Sequence, residues 1–152
     1  MDANTRDDLN WTIRAFVYEF IVANERPPTT EETASALSVP PETVQAAYGW
    51  LHARHALYLA GDGQTIRMAH PFSAVPTDFR VFANGHAYWA NCAWDMLGIP
   101  AALRANAQIE ARLSDTGAPV SLAVEGGRVR GHGEVVSFPL PFSRWYDDLV
   151  YT

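Results

Sequence analysis

The chain has 152 residues, which is enough for one ordinary domain or two very small ones. Hydrophobic residues make up 48% of it and charged residues 18%, a composition that excludes intrinsic disorder over most of the length. The formal charge is -6, and all 11 basic residues are arginines. A Schiff-base lysine and a lysine-based phosphate cradle are therefore excluded, and the acidic balance weighs against a nucleic-acid partner.

The sequence contains a single cysteine, Cys92. One thiol can form neither an internal disulfide nor a four-thiolate zinc site, which favours a reducing compartment. The first residues are polar and acidic, unlike a signal peptide, and no apolar run reaches the roughly 18 residues that span a bilayer. These features predict a cytoplasmic protein without a membrane partner.

The first half of the chain has the pattern of helices followed by a hairpin. Apolar residues recur at helical spacing over residues 8–23. A second helix opens with Thr29 and acidic residues in its first turn, and a third begins at Pro41. Two short apolar runs, 57–59 and 65–68, then predict a hairpin. This order is typical of a winged helix-turn-helix module, predicted here for residues 1–70.

The second half, residues 71–152, is predicted to be a small antiparallel or mixed sheet domain with a short helix pair. A proline-containing linker at 71–77 precedes it. The helix pair is predicted over residues 88–97 and 101–104, separated by Gly98-Ile99-Pro100. Alternating patterns predict the strands, which are 79–82, 107–113, 119–124, 134–138 and 145–151. The fold class is therefore α+β.

Cys92 and Asp95 are the first candidates for chemistry. If residues 88–97 are helical, the two side chains share one helix face. A thiolate captures a soft electrophile such as mercury, and a neighbouring carboxylic acid can deliver a proton to the departing carbon. An inert, buried cysteine is the alternative interpretation of the same spacing.

Three segments together resemble the alkylmercury lyase family. They are His70-Pro-Phe-Ser-Ala-Val-Pro-Thr77, Trp89-Ala-Asn-Cys92-Ala-Trp-Asp95-Met-Leu-Gly-Ile-Pro100 and Thr116-Gly-Ala-Pro-Val-Ser-Leu122. The resemblance implies a winged-helix-like N-terminal region that does not read DNA. It also implies a mixed sheet domain that carries the active site.

The resemblance further implies roles for individual residues. Cys92 would take up mercury as a thiolate, while Asp95 would remove the thiol proton and return one to the leaving carbon. The family's second cysteine corresponds to the region 142–151, where this sequence has none. Asp147 or an external thiol would stand in for it. No organic cofactor is implied, because mercury is part of the substrate and product.

Three tryptophans are candidates for the wall of an apolar substrate pocket: Trp89, Trp94 and Trp145. Core packing is the alternative for at least one of them. Two other functions remain open for the Cys92 and Asp95 pair, a different small-molecule reaction and non-catalytic sensing of a soft metal or electrophile. A small molecule is the expected partner in each case, and the N-terminal region is a candidate lid or homodimer surface.

Overall fold

The computed structural model describes residues 3–138 and 140–147, and its internal contacts divide the chain at Val75/Pro76 into two units. This division falls inside the segment predicted as a linker. The functional assignment of residues 1–70 and 71–152 stays a prediction. No helix in the described ranges has the length and apolar character needed to cross a membrane.

Three helices begin the first unit: α1 (Ala3–Asn24), α2 (Thr30–Leu37) and α3 (Pro41–Ala53). All three were predicted, and α1 begins earlier than the apolar pattern indicated. The stripe of α1 is buried, with Ile13 and Val17 fully inaccessible, and it packs on α3. Burial of this stripe stabilises α1 more than the intrinsic propensity of its residues does.

Three antiparallel strands complete the first unit. Its strands are β1 (Tyr58–Leu59), β2 (Ile66–Ala69) and β3 (Phe72–Ser73). The hairpin of β1 and β2 was predicted, whereas β3 lies in the predicted linker. Because β3 has only two residues, it has too little length to show an alternating pattern. The winged helix-turn-helix assignment itself stays a prediction.

The second unit contains five antiparallel strands in the order β5-β4-β6-β7-β8. Helix α4 (Ala93–Leu103) packs on β4, β5 and β6. The buried residues Val81, Tyr88, Ile109 and Leu122 are joined by the strand register on one face of the sheet. The strands are β4 (Arg80–Ala83), β5 (His86–Ala90), β6 (Ala107–Arg112), β7 (Pro119–Glu125) and β8 (Arg128–Arg130). The α+β class is thus confirmed.

The predicted helix pair is wrong in two respects. Residues 86–90 form β5, so the helix begins only at Ala93. It then continues through Pro100 to Leu103 as one helix. Proline normally breaks a helix interior, but Ile99 and Pro100 are both buried, and this tertiary burial outweighs the local cost.

The predicted strand 134–138 is also wrong, and so is the described part, 145–147, of the predicted strand 145–151. Residues 134–138 form no regular element, and residues 142–147 form a 3₁₀ helix (Phe142–Asp147), while 148–152 lie outside the described residues. The last strand in the described part of the chain is β8, which is joined to β7 by a turn in which Gly126 and Gly127 both have positive φ. Every residue of β8 is exposed, so no alternation marks it in the sequence.

Candidate active site

Cys92 occupies the N-cap position of α4. Its backbone is extended, with φ -151° and ψ 179°, and its carbonyl accepts the first helical hydrogen bond from Met96 N–H at 3.0 Å. The side chain is half-buried. The thiol therefore lies at the helix N-terminus, where unpaired backbone N–H groups favour negative charge.

Asp95 is the third residue of α4 and stands beside the thiol. The two residues were predicted to share a helix face, but the structure brings them together through N-cap geometry, since Cys92 precedes the helix. Burial raises the pKa of the Cys92 thiol, and so do the charge of Asp95 and a hydrogen bond to its carboxylate. The thiol is therefore protonated at neutral pH, with a carboxylate beside it as proton acceptor.

The N-terminus of α4 offsets only part of the increase in the pKa of Cys92. The backbone N–H groups of Asp95 and Trp94 lower the pKa of Cys92, although neither forms a capping hydrogen bond of full geometry to the side chain. Cysteines activated for direct attack have a lowered pKa. Cys92 thus depends on a base to become a thiolate.

Asn91 positions the carboxylate. Its side-chain amide donates a hydrogen bond to Asp95 Oδ2 at 3.1 Å. Asn91 was not among the predicted site residues. Its position directly before the N-cap is informative only once the start of α4 is known.

A cavity of about 730 Å³ adjoins Cys92 in the second unit. Its wall is mainly apolar and is built from the start of α4, strands β6 and β7, and the segment 131–138. Glu134 and Arg112 are the charged residues in the wall among those described, and neither was predicted. The residues nearest in sequence to Cys92 that contribute are Asn91, Ala93, Trp94, Met96 and Leu97.

The predicted substrate-binding residues fall in different places. Trp94 lines the cavity and is 58% exposed, and its ring centroid lies 6.1 Å from that of Phe138. Trp145 stacks on Phe138 at 4.9 Å and donates its indole N–H to the Leu140 carbonyl at 3.0 Å. Trp145 therefore supports the wall through Phe138. The side chain of Asp147 lies outside the described part of the chain.

Trp89 does not reach the cavity beside Cys92. It pairs with Arg80 on the opposite face of the sheet, where the Arg80 guanidinium lies 5.0 Å from its ring centroid. Both residues line a separate cavity of about 390 Å³. The reason is the strand β5, in which successive side chains point to opposite faces.

The described residues of the site offer few ligands to a metal ion. Within residues 3–138 and 140–147, no group of three His, Cys, Asp or Glu side chains is arranged to hold an ion. Cys92 and Asp95 supply one soft and one hard donor. Such a pair is suited to a thiophilic ion that arrives with its own ligand.

The chain is similar to known proteins in fold and in its second half. Residues 72–152 match the family model described as MerB: Alkylmercury lyase. Among solved structures, the chain is similar to the one titled "Crystal structure of the mercury-bound form of MerB2", with 22% sequence identity and a TM-score of 0.62. The alignment covers 83% of this chain and 64% of that one, so this chain spans less than two thirds of the MerB2 chain.

No curated protein matches the sequence. The likeness to MerB2 concerns the fold, while the family match covers more than half of the chain and includes Cys92, Asp95 and most of the cavity wall. The protein is therefore a member of the alkylmercury lyase family.

Proposed function

We propose that the chain is an organomercurial lyase that cleaves a carbon–mercury bond by protonolysis. Cys92 is the thiolate acceptor of mercury and Asp95 is the proton carrier. The observation that supports this most is the half-buried Cys92 thiol, whose pKa is raised by burial and by the neighbouring Asp95, at the wall of a largely apolar cavity. The mercury-bound state named for MerB2 belongs to that protein, and it is consistent with the same chemistry here.

The proposed reaction balances without an oxidant or a reductant. The Cys92 thiol transfers its proton to the Asp95 carboxylate, and its sulfur binds the mercury of an R–Hg⁺ cation. Asp95 then gives the proton to the carbon, so the electron pair of the C–Hg bond becomes that of a C–H bond. The products are the hydrocarbon R–H and Hg²⁺ held by the Cys92 thiolate.

The geometry of the site supports a separate role for the carboxylate, for the apolar cavity wall and for an external thiol. The amide of Asn91 holds Asp95 Oδ2 at 3.1 Å, which restricts the carboxylate to one orientation beside the thiol. The apolar wall suits an organic group, and Trp94 and Phe138 offer it aromatic surface. A small thiol from solution is proposed as the second sulfur ligand of mercury, because a carboxylate is a much harder donor.

The proposal is tested by incubating the protein with phenylmercury and an excess of a small thiol. Benzene release is followed by gas chromatography. We expect turnover with the natural chain and none above background with Cys92→Ser. Equal release by the two proteins would overturn the assignment of Cys92, and no release by either would overturn the lyase function.

The alternative in which Cys92 acts as an activated nucleophile on another small molecule predicts a lowered thiol pKa. Burial and Asp95 instead raise that pKa, so the structure favours capture of a thiophilic cation. Such an ion displaces the thiol proton on binding. A non-catalytic sensor of soft metals would share this capture step, and the absence of benzene release would identify it.

A further inference from the structure

The exposed apolar side chains of the described residues are concentrated around one cavity, the one beside Cys92. Six large apolar side chains are exposed in the described part of the chain, and five of them line this cavity. They are Trp94, Leu113, Val129, Val135 and Phe138. Single exposed apolar residues need no explanation, but a set gathered around one concavity is typical of a binding surface. The cavity therefore has the wall of a site for an apolar group.

Trp94 connects this apolar wall to the thiol. It lies in the first turn of α4, two positions after Cys92, and its backbone N–H lowers the pKa of the Cys92 thiol. The Trp94 amide is therefore close to the sulfur, while its indole lines the cavity. An organic group carried by a mercury atom on Cys92 would thus begin next to this indole.

Phe138 extends the aromatic surface beyond Trp94. The two ring centroids lie 6.1 Å apart and the ring planes are tilted by 58°, so the rings form a corner, the aromatic corner. Trp145 supports Phe138 at 4.9 Å, and the Trp145 indole is itself anchored on the Leu140 carbonyl. Phe138 nevertheless remains 41% exposed. Both rings of the aromatic corner therefore keep open surface for a further group.

We propose that the site takes organomercury cations with an aromatic organic group in preference to methylmercury, and that Trp94 and Phe138 determine this specificity. The inference rests on the proposed lyase function and names its substrate class. A planar ring in the aromatic corner can place its face against one ring and its edge against the other, and both arrangements are favourable. A methyl group has no ring to stack and buries little of the apolar wall.

The volume of the cavity suits a group much larger than methyl. Its 730 Å³ falls within the roughly 300–1,000 Å³ typical of pockets that enclose an organic ligand. Leu113, Val129 and Val135 add aliphatic surface to the same wall, so substituents on an aromatic ring can also be buried. Methylmercury would leave most of this wall in contact with water, and the cavity would then contribute little binding energy to the reaction.

The test compares phenylmercury with methylmercury in the presence of an excess of a small thiol. Benzene and methane are measured by gas chromatography, and the readout is the ratio of kcat/KM for phenylmercury to kcat/KM for methylmercury. The intrinsic reactivity of each C–Hg bond is the same for every variant, so a change in the ratio reports the site. We expect Trp94→Leu to lower the ratio about tenfold. An unchanged ratio in this variant would overturn the inference.

A second variant and a matched control make the test decisive. Phe138→Leu should also lower the ratio, because leucine keeps an apolar side chain and removes the ring. This variant tests the inference even if Trp94→Leu disturbs the start of α4. Phe82→Leu is the control, since Phe82 lies on β4 outside this cavity, and we expect the natural ratio. An equal fall in Phe82→Leu would overturn the assignment of specificity to the aromatic corner.

The outcomes separate this inference from the proposed function. If both hydrocarbons are released and Trp94→Leu and Phe138→Leu keep the natural ratio, only the specificity is overturned. If neither hydrocarbon is released, the lyase function is overturned, and the comparison is made on the two intact cations. Each cation is then loaded on the protein and titrated with glutathione, and bound mercury is measured after gel filtration. A selective loss of phenylmercury retention in the two variants would support the aromatic corner as a binding site, and equal retention would overturn it.

Discussion

Helices α2 and α4 begin with the same residue spacing but use it differently. In α2 the N-cap Thr29 and Glu32 form a capping box, in which Thr29 Oγ1 accepts the Glu32 N–H at 3.1 Å and Glu32 Oε2 accepts the Thr29 N–H at 2.8 Å. In α4 the equivalent residues are Cys92 and Asp95, and no capping hydrogen bond of full geometry forms. The thiol and the carboxylate interact with each other instead.

The two helix starts differ in their electrostatics: the α2 start stabilises charge, and the α4 start, which we propose serves catalysis, disfavours it. Arg26 pairs with Glu32 at 2.6 Å, and these contacts lower the pKa of Glu32 to about 2. The pKa of Cys92 moves upward, because burial and Asp95 disfavour the thiolate. The α2 start is thus a set of mutually satisfied groups, whereas the α4 start keeps a transferable proton.

The largest expected effect comes from breaking the proton transfer with Asp95→Asn. Loss of the general acid should slow benzene release about 100-fold. The same substitution removes the carboxylate charge that raises the pKa of Cys92, so that pKa should fall. Alkylation of Cys92 by iodoacetamide near neutral pH should therefore become faster while turnover becomes slower.

Together with an unchanged urea denaturation midpoint, the opposite directions of these two rates distinguish a proton carrier from a structural residue. The midpoint is needed because a locally unfolded site would also expose the thiol, remove the effect of burial on its pKa and speed alkylation. A pH titration of the alkylation rate provides the pKa in both proteins. An unchanged or raised thiol pKa in Asp95→Asn would contradict the assigned electrostatic role of Asp95.

The second prediction removes the side-chain cap at the start of α2 with Thr29→Ala. Removing the side-chain cap should reduce the free energy of unfolding by about 1 kcal/mol. Benzene release should be unchanged, since Thr29 lies in the first unit and the cavity beside Cys92 is formed by the second. Urea denaturation measures the free energy of unfolding. A loss of benzene release in the fully folded variant would contradict the assignment of Thr29 to stability alone.

The sequence predicted the start of α2 better than the start of α4, because the two N-cap residues differ in type. Thr29 and the acids after it are typical helix-start residues, so α2 was located correctly. Cysteine is not a favoured N-cap residue, and β5 is too short to establish alternation. The pair of Cys92 and Asp95 was therefore identified by its spacing and its family resemblance, although the strand before it was assigned to the helix.

The rest of the site depends on contacts distant in sequence. Trp89 was one of three aromatic candidates for the pocket wall, but on β5 its side chain lines a different cavity on the other face of the sheet. Glu134 was missed because residues 134–138 were expected to form a strand. Its relation to Gly131 and Leu122 appears only when the chain is folded, so no local pattern could have predicted it.

The third prediction makes α4 resemble α2 through Cys92→Ser. Serine is a favoured N-cap residue, and its hydroxyl can accept the Asp95 N–H. We expect the free energy of unfolding to rise by about 0.5 kcal/mol while benzene release is lost. A matched Cys92→Ala variant should lose benzene release without this rise in stability. Equal unfolding free energies for the two variants would contradict the interpretation that Cys92 at the N-cap makes α4 less stable than a serine would.

The smallest expected effect concerns the charge at the α2 cap, tested with Glu32→Gln. Because the pKa of Glu32 is lowered from its usual 4.5 to about 2 in the folded protein, its ionised form contributes stability above the usual pKa. That contribution is lost as the pH falls from about 4.5 to about 2. The difference in unfolding free energy between the natural chain and Glu32→Gln should therefore be larger at pH 7 than at pH 2.5.

Solvent exposure limits the size of this effect and makes it sensitive to salt. The Arg26 and Glu32 side chains are 53% and 36% exposed, so 1 M salt should screen most of the difference at pH 7. Glu31→Gln is the matched control, because it preserves both hydrogen bonds between Thr29 and Glu32. A difference independent of pH and salt would show that Glu32 acts through hydrogen bonding alone, and the α2 start would then owe nothing to charge.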